Sequence, residues 1–93
     1  MIGIEKADKG LLFSGDNFKV VKQIGRAGEQ IDTHDHAGYN VIVTAVKGEI
    51  EATLNSSERH KLVSGTVLSF DGANTITPKF ISDGEFTVTL IKK

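Results

Sequence analysis

The sequence is dominated by short β-type runs that are separated by turn residues. In Glu49–Leu54 the apolar residues Ile50, Ala52 and Leu54 alternate with polar residues, which is the period of a half-buried strand. No window keeps apolar residues at the helical spacing without intervening glycines or β-branched clusters. Ten glycines and a single proline indicate many tight turns. The sequence therefore predicts an all-β fold.

Further runs of this kind recur along the whole chain. The most apolar run, residues 40–46, carries apolar residues at both parities, which predicts a strand covered on both faces. The remaining predicted strands are residues 2–4, 11–14, 18–24, 29–34, 49–54, 58–63, 66–70, 75–81 and 86–91. Strands at this spacing predict a sandwich or a small barrel. We favour a jelly-roll barrel over another small β-barrel, such as an oligonucleotide-binding one.

Length and composition limit the classes of protein that fit this chain. With 93 residues it is predicted to form one domain, residues 1–93, in which residues 1–14 form an N-terminal strand or a dimer arm. A domain of this size buries only about 60–65% of its unfolded surface, so we expect a homodimer. The net charge of −1, with both signs interspersed, argues against nucleic acid as a partner.

The sequence also predicts a cytoplasmic protein. It contains no apolar run long enough for a secretory signal or a membrane span. It contains no cysteine, which excludes disulfides and thiolate metal sites and fits a reducing compartment.

The stretch THDHAGYN (33–40) carries the most specific motif. Gly28, the pair His34 and His36, and Gly48 followed by Glu49 resemble the first motif of the cupin superfamily. The stretch LVSGTVLSF (62–70) is similar to the strand that opens the second motif. The resemblance spans about residues 18–91 and implies a double-stranded β-helix barrel, in which the two histidines belong to a metal or ligand site.

The chain departs from the cupin motifs at two ligand positions. The resemblance places Asn40 or Val41 where the family has a glutamate. It places Ile76 where the second motif has a histidine, and an insertion moves that position to Thr77 or Lys79. Only two of the four ligands used by metal-binding cupins are therefore matched.

The two histidines are predicted to project from the same face of a strand, because residues i and i+2 do so. They can converge on one ion, but a catalytic transition metal usually has three protein ligands. His60 is a further histidine, on a different predicted strand. Without a metal, the imidazoles would line a barrel mouth formed by His34, His36, Asn40 and Ile76. The predicted apolar walls are Val41, Val43 and Leu68.

Three functions follow from these residues. The first is a non-catalytic cupin-like protein that binds a small polar molecule in the barrel. The second is a metal-dependent cupin enzyme, of the dioxygenase or isomerase type, with His34 and His36 as ligands of a weakly held divalent transition metal. The third is an interaction protein whose barrel serves homodimerisation or partner docking.

Overall fold

The computed structural model describes residues 2–93, which form eight strands and no helix. Met1, the first residue of the predicted arm, lies outside the described residues. None of the described residues forms a helix that is long and apolar enough to cross a membrane. The strands are β1 (Gly10–Ser14), β2 (Phe18–Gly25), β3 (Tyr39–Lys47), β4 (Glu49–Leu54), β5 (Glu58–Val63), β6 (Val67–Asp71), β7 (Ile76–Phe80) and β8 (Gly84–Lys92).

The strands form two antiparallel sheets that share one core. The larger sheet has the order β1-β2-β8-β3-β6, and the smaller one has the order β5-β4-β7. Only Gly48 separates β3 from β4, and these two consecutive strands lie in different sheets. This arrangement confirms the predicted all-β fold of the double-stranded β-helix type.

The core lies between the two sheets and follows the alternation of the strands. Val41, Val43 and Ala45 of β3 are buried, and so are Ile50 and the other apolar residues of β4. Each large aliphatic or aromatic side chain that is fully buried in this way stabilises the fold by about 1.5–3 kcal/mol.

The turn between β3 and β4 requires a glycine. Gly48 has a φ of 75°, a conformation that side chains with a Cβ rarely adopt. A Cβ at this position would lie 2.2 Å from the backbone oxygen of Asp83, in the turn before β8. Gly48 therefore lets the chain cross from one sheet to the other while the β7–β8 turn packs against it.

Three details differ from the sequence prediction. Residues 2–4 form no strand, and Ile2 and Ile4 are exposed. Residues 29–34 do not form a continuous strand; only Gln30 and His34 make isolated bridges, both to β7. Strand β3 is buried on one face alone, because Ile42 on the other face is only half-buried. The prediction that β3 is covered on both faces is therefore wrong for this chain.

Candidate ligand pocket

A cavity of about 70 Å³ lies inside the barrel and is open at one side. One wall is the inner face of the larger sheet, and the other is β7 together with the β2–β3 connection (residues 26–38). The larger sheet contributes the apolar side chains of Val21, Val41, Val43, Phe86, Val88 and Leu90. The opposite wall contributes those of Ile31, Ile76 and Pro78. Only three of the lining residues are polar: Gln23, His34 and His36.

Backbone hydrogen bonds hold the two histidines at the cavity. The amide of His34 donates to the carbonyl of Ile76 (3.1 Å), and the amide of Ile76 donates back to His34 (2.8 Å). The amide of His36 donates to the carbonyl of Gly72 (2.9 Å). A Cβ on Gly72 would lie 2.2 Å from the carbonyl oxygen of His36, so a glycine is needed for this close approach. Both histidines are thus anchored to the segment around β7.

The two imidazole rings contact each other edge to face. Their centroids are 4.8 Å apart and their planes cross at 87°. Nδ1 of His34 lies 2.7 Å from the backbone oxygen of Asp32. A carbonyl oxygen only accepts hydrogen bonds, so Nδ1 carries the hydrogen and donates it. In the neutral ring, Nε2 of His34 is then left with its lone pair.

The surroundings of His36 disfavour its protonated form. Partial burial lowers the pKa of His36 below its ordinary value, the neighbouring His34 lowers it further, and Asp35 opposes this with its negative charge. These surroundings therefore favour the neutral form of His36.

The structure brings together three of the four residues that were predicted at the barrel mouth. His34, His36 and Ile76 line the cavity, and the predicted wall residues Val41 and Val43 also line it. Leu68, a further predicted wall residue, is buried in the core but lies outside the cavity lining.

Asn40 does not join the two histidines. It is exposed and pairs with Asp71 and Ile91, whereas its neighbour Val41 is buried and faces the cavity. Successive residues of a strand point to opposite faces, so only one of the two residues can line the pocket. Of the two candidates for the glutamate position, the fold therefore places Val41 inside.

Gln23 is a lining residue that the sequence alone does not reveal. It shares its face of β2 with Val21 and Lys19, while the opposite face carries Phe18 and Val20 and is the more apolar of the two. The alternation of apolar residues in β2 would therefore predict that the face with Phe18 and Val20 is the inner one, whereas the structure has Val21 and Gln23 on the inner face. Only the pairing of Gln23 with the buried Phe86 shows that its side chain faces inward.

The donor set of the pocket does not fit a firmly held transition metal. His34 and His36 supply two imidazoles, but residues 2–93 contain no group of three or more His, Cys, Asp or Glu side chains that could hold a metal ion. The positions that the cupin motifs assign to further ligands are the aliphatic Val41 and Ile76, which cannot coordinate.

His60 does not complete the set. It lies on β5, paired with Ala52 of β4, and its Nε2 donates to a carboxylate oxygen of Glu58. It is not part of the cavity lining.

Comparison with known proteins gives structural neighbours alone. No protein-family model matches the sequence, and no curated protein matches it. An RmlC-like cupin protein from Desulfovibrio desulfuricans superposes with a TM-score of 0.82 at 20% identity, over 98% of this chain and 92% of that one. An RmlC-like cupin family protein from Methanocaldococcus jannaschii gives 0.78 at 20% identity, over 99% and 93%. The Cnp3 cupin domain of Schizosaccharomyces pombe gives 0.80 at 18% identity, over 90% and 63%.

These superpositions, together with the two sheets and the internal pocket, define the class of the protein as a small double-stranded β-helix barrel. The fold is that of a cupin, as the motif around His34 and His36 predicts.

Proposed function

We propose that this cupin-fold protein binds a small molecule in its barrel without a metal cofactor and without catalysis. The observation that carries the proposal is the lining of the pocket, which is mainly apolar and has two imidazoles at its edge. Pockets of this composition, with a few placed polar groups, are typical of small-molecule sites. The apolar walls favour a ligand that is less polar than the sequence predicts.

We propose a protein without catalytic activity because the pocket lacks the side chains that commonly catalyse reactions. The lining contains no carboxylate, no lysine and no hydroxyl nucleophile. Two histidines remain as the only titratable groups, and no acid–base partner faces them inside the cavity.

The test is binding of small neutral probes to the dialysed protein, followed by amide chemical shifts in NMR spectra. We expect phenol, cyclohexanol or indole to shift the amides of Val43, Phe86 and Val88. The variant Val88→Phe fills the cavity and should weaken binding at least tenfold. Val63→Phe makes the same change at an exposed position of β5 and should leave binding intact. Probe binding that Val88→Phe does not weaken would contradict the proposal, as would no binding at all.

A metal-dependent cupin enzyme of the dioxygenase or isomerase type is the second candidate. It is favoured by the hydrogen bond from Nδ1 of His34 to Asp32, because metal-bound imidazoles commonly donate their other nitrogen in this way. In this case His34 and His36 would be the ligands. Stoichiometric metal that survives dialysis and is lost in His34→Ala would support the enzyme and contradict the metal-free binding protein.

A further inference from the structure

We propose that the pocket selects an uncharged molecule with an apolar body and one hydroxyl group, which donates a hydrogen bond to Nε2 of His34. The inference rests on the proposed binding function and names the class of ligand for the same pocket.

The hydrogen-bonding state of His34 favours a ligand that carries a hydrogen-bond donor. Its Nδ1–H is committed to the backbone oxygen of Asp32 at 2.7 Å. Nε2, on the far side of the ring from that bond, has no hydrogen-bond partner within residues 2–93. In the neutral ring Nε2 is a hydrogen-bond acceptor only. It can accept a hydrogen bond from a donor group on the ligand, but it cannot form one with an ether or carbonyl oxygen.

Within the part of the chain that the structure describes, the cavity lining offers no charged side chain to a charged ligand. None of the lining side chains is an Asp, Glu, Lys or Arg. Lys19 shares the inner face of β2, but it is exposed and lies outside the lining. A carboxylate or an ammonium group in the cavity would therefore lose its hydration without gaining an ionic partner, which is costly. This favours an uncharged ligand.

The volume of the cavity suits a small ligand. A cavity of about 70 Å³ is several times the volume of roughly 10–15 Å³ that one water molecule needs. The walls beyond the histidines are aliphatic or aromatic, from Val41 to Phe86 along the larger sheet. A ring or short chain of a few carbon atoms fills such a space, with its hydroxyl group at the histidine edge.

The experiment compares three ligands built on one ring. Phenol carries a donor, anisole replaces that donor with an ether oxygen, and benzoate carries a charge. Their dissociation constants are measured by NMR titration of the dialysed protein at pH 7.5. We expect phenol to bind roughly three- to tenfold more tightly than anisole, which is the usual net effect of one hydrogen bond. Benzoate should bind more weakly than either.

Two variants assign the effect to His34. His34→Leu removes the acceptor and should reduce the phenol-to-anisole ratio to about one, while continued anisole binding shows that the pocket is intact. His34→Gln keeps an acceptor oxygen and should retain part of the preference. His60→Leu, outside the pocket, should keep the wild-type ratio.

Other outcomes overturn the inference at different levels. If anisole binds as well as phenol, or if benzoate binds best, the ligand class is wrong and the binding function stands. If none of the three ligands shifts the pocket amides, the ligand class and the proposed function both fail.

Discussion

His36 is a half-buried imidazole that lies against a second imidazole, and its protonation should therefore oppose folding. In the unfolded chain a histidine has a pKa of about 6.5. In the folded chain, burial and His34 lower the pKa of His36, in spite of the opposing charge of Asp35. Below pH 6.5 the unfolded state then binds more protons than the folded state, so the contribution of His36 to stability falls as the pH falls. Above pH 6.5 this penalty is absent.

The variant His36→Gln tests this prediction because glutamine does not titrate. Urea unfolding of both proteins at pH 7.5 and pH 5.0 gives the loss of unfolding free energy for each. We expect a smaller loss for His36→Gln than for the wild type. An equal or larger loss in the variant would show that the protonation of His36 does not oppose folding.

At the scale of single elements, the alternation within a strand largely determines what the sequence can predict. Strands β4 and β5 have the predicted bounds, because polar and apolar residues alternate cleanly in β4 and turn residues flank both strands. In β3 both parities are apolar, so the sequence cannot decide whether Asn40 or Val41 faces inward. The pairing of β3 with β8, which sets Val41 beside the buried Leu90, decides it.

The β2–β3 connection shows the other limit of sequence-based prediction. The motif around His34 and His36 correctly indicates the fold, and both side chains reach the pocket. The sequence cannot show that this segment is tied to β7 by two isolated bridges. Those long-range contacts set the ring positions, and local residue preferences carry no information about them.

The same strand register predicts how a metal site could be built into this barrel. Val41 and Ile76 line the pocket together with His34 and His36. The double variant Val41→Glu/Ile76→His would add a carboxylate and a third imidazole, which completes a ligand set of the kind that transition metals bind. We expect its affinity for Ni²⁺ or Zn²⁺, measured by calorimetry, to exceed that of the wild type at least tenfold.

A matched control tests whether the position of the new Glu and His side chains, and not merely their presence, raises the metal affinity. Asn40→Glu/Ile42→His introduces the same residue types on the outer face of β3, where Asn40 is exposed and Ile42 is half-buried. It should leave the metal affinity near the wild-type value. Equal affinities in the two double variants would mean that the four inner positions do not converge on one site.

At the scale of the whole molecule, part of the outer face of the larger sheet carries apolar side chains that are accessible to solvent. Phe18 and Ile91 are registered neighbours and are 41% and 39% exposed. In the next row Val20, Thr89 and Ile42 lie side by side and are half-buried. Exposed apolar patches that extend over several strands are typical of interaction sites.

The homodimer that the small size of the domain predicts would therefore pair these outer faces. Light scattering at micromolar concentration should give twice the chain mass of 10.0 kDa. Thr89→Lys would place a charge at the centre of the face and should shift the protein to the monomer, because an unpaired charge buried in an interface is costly. Thr53→Lys makes the same change on the half-buried outer side of β4 and should remain dimeric. A monomeric wild type would refute the dimer, and a dimer that persists in Thr89→Lys would place the interface on another surface.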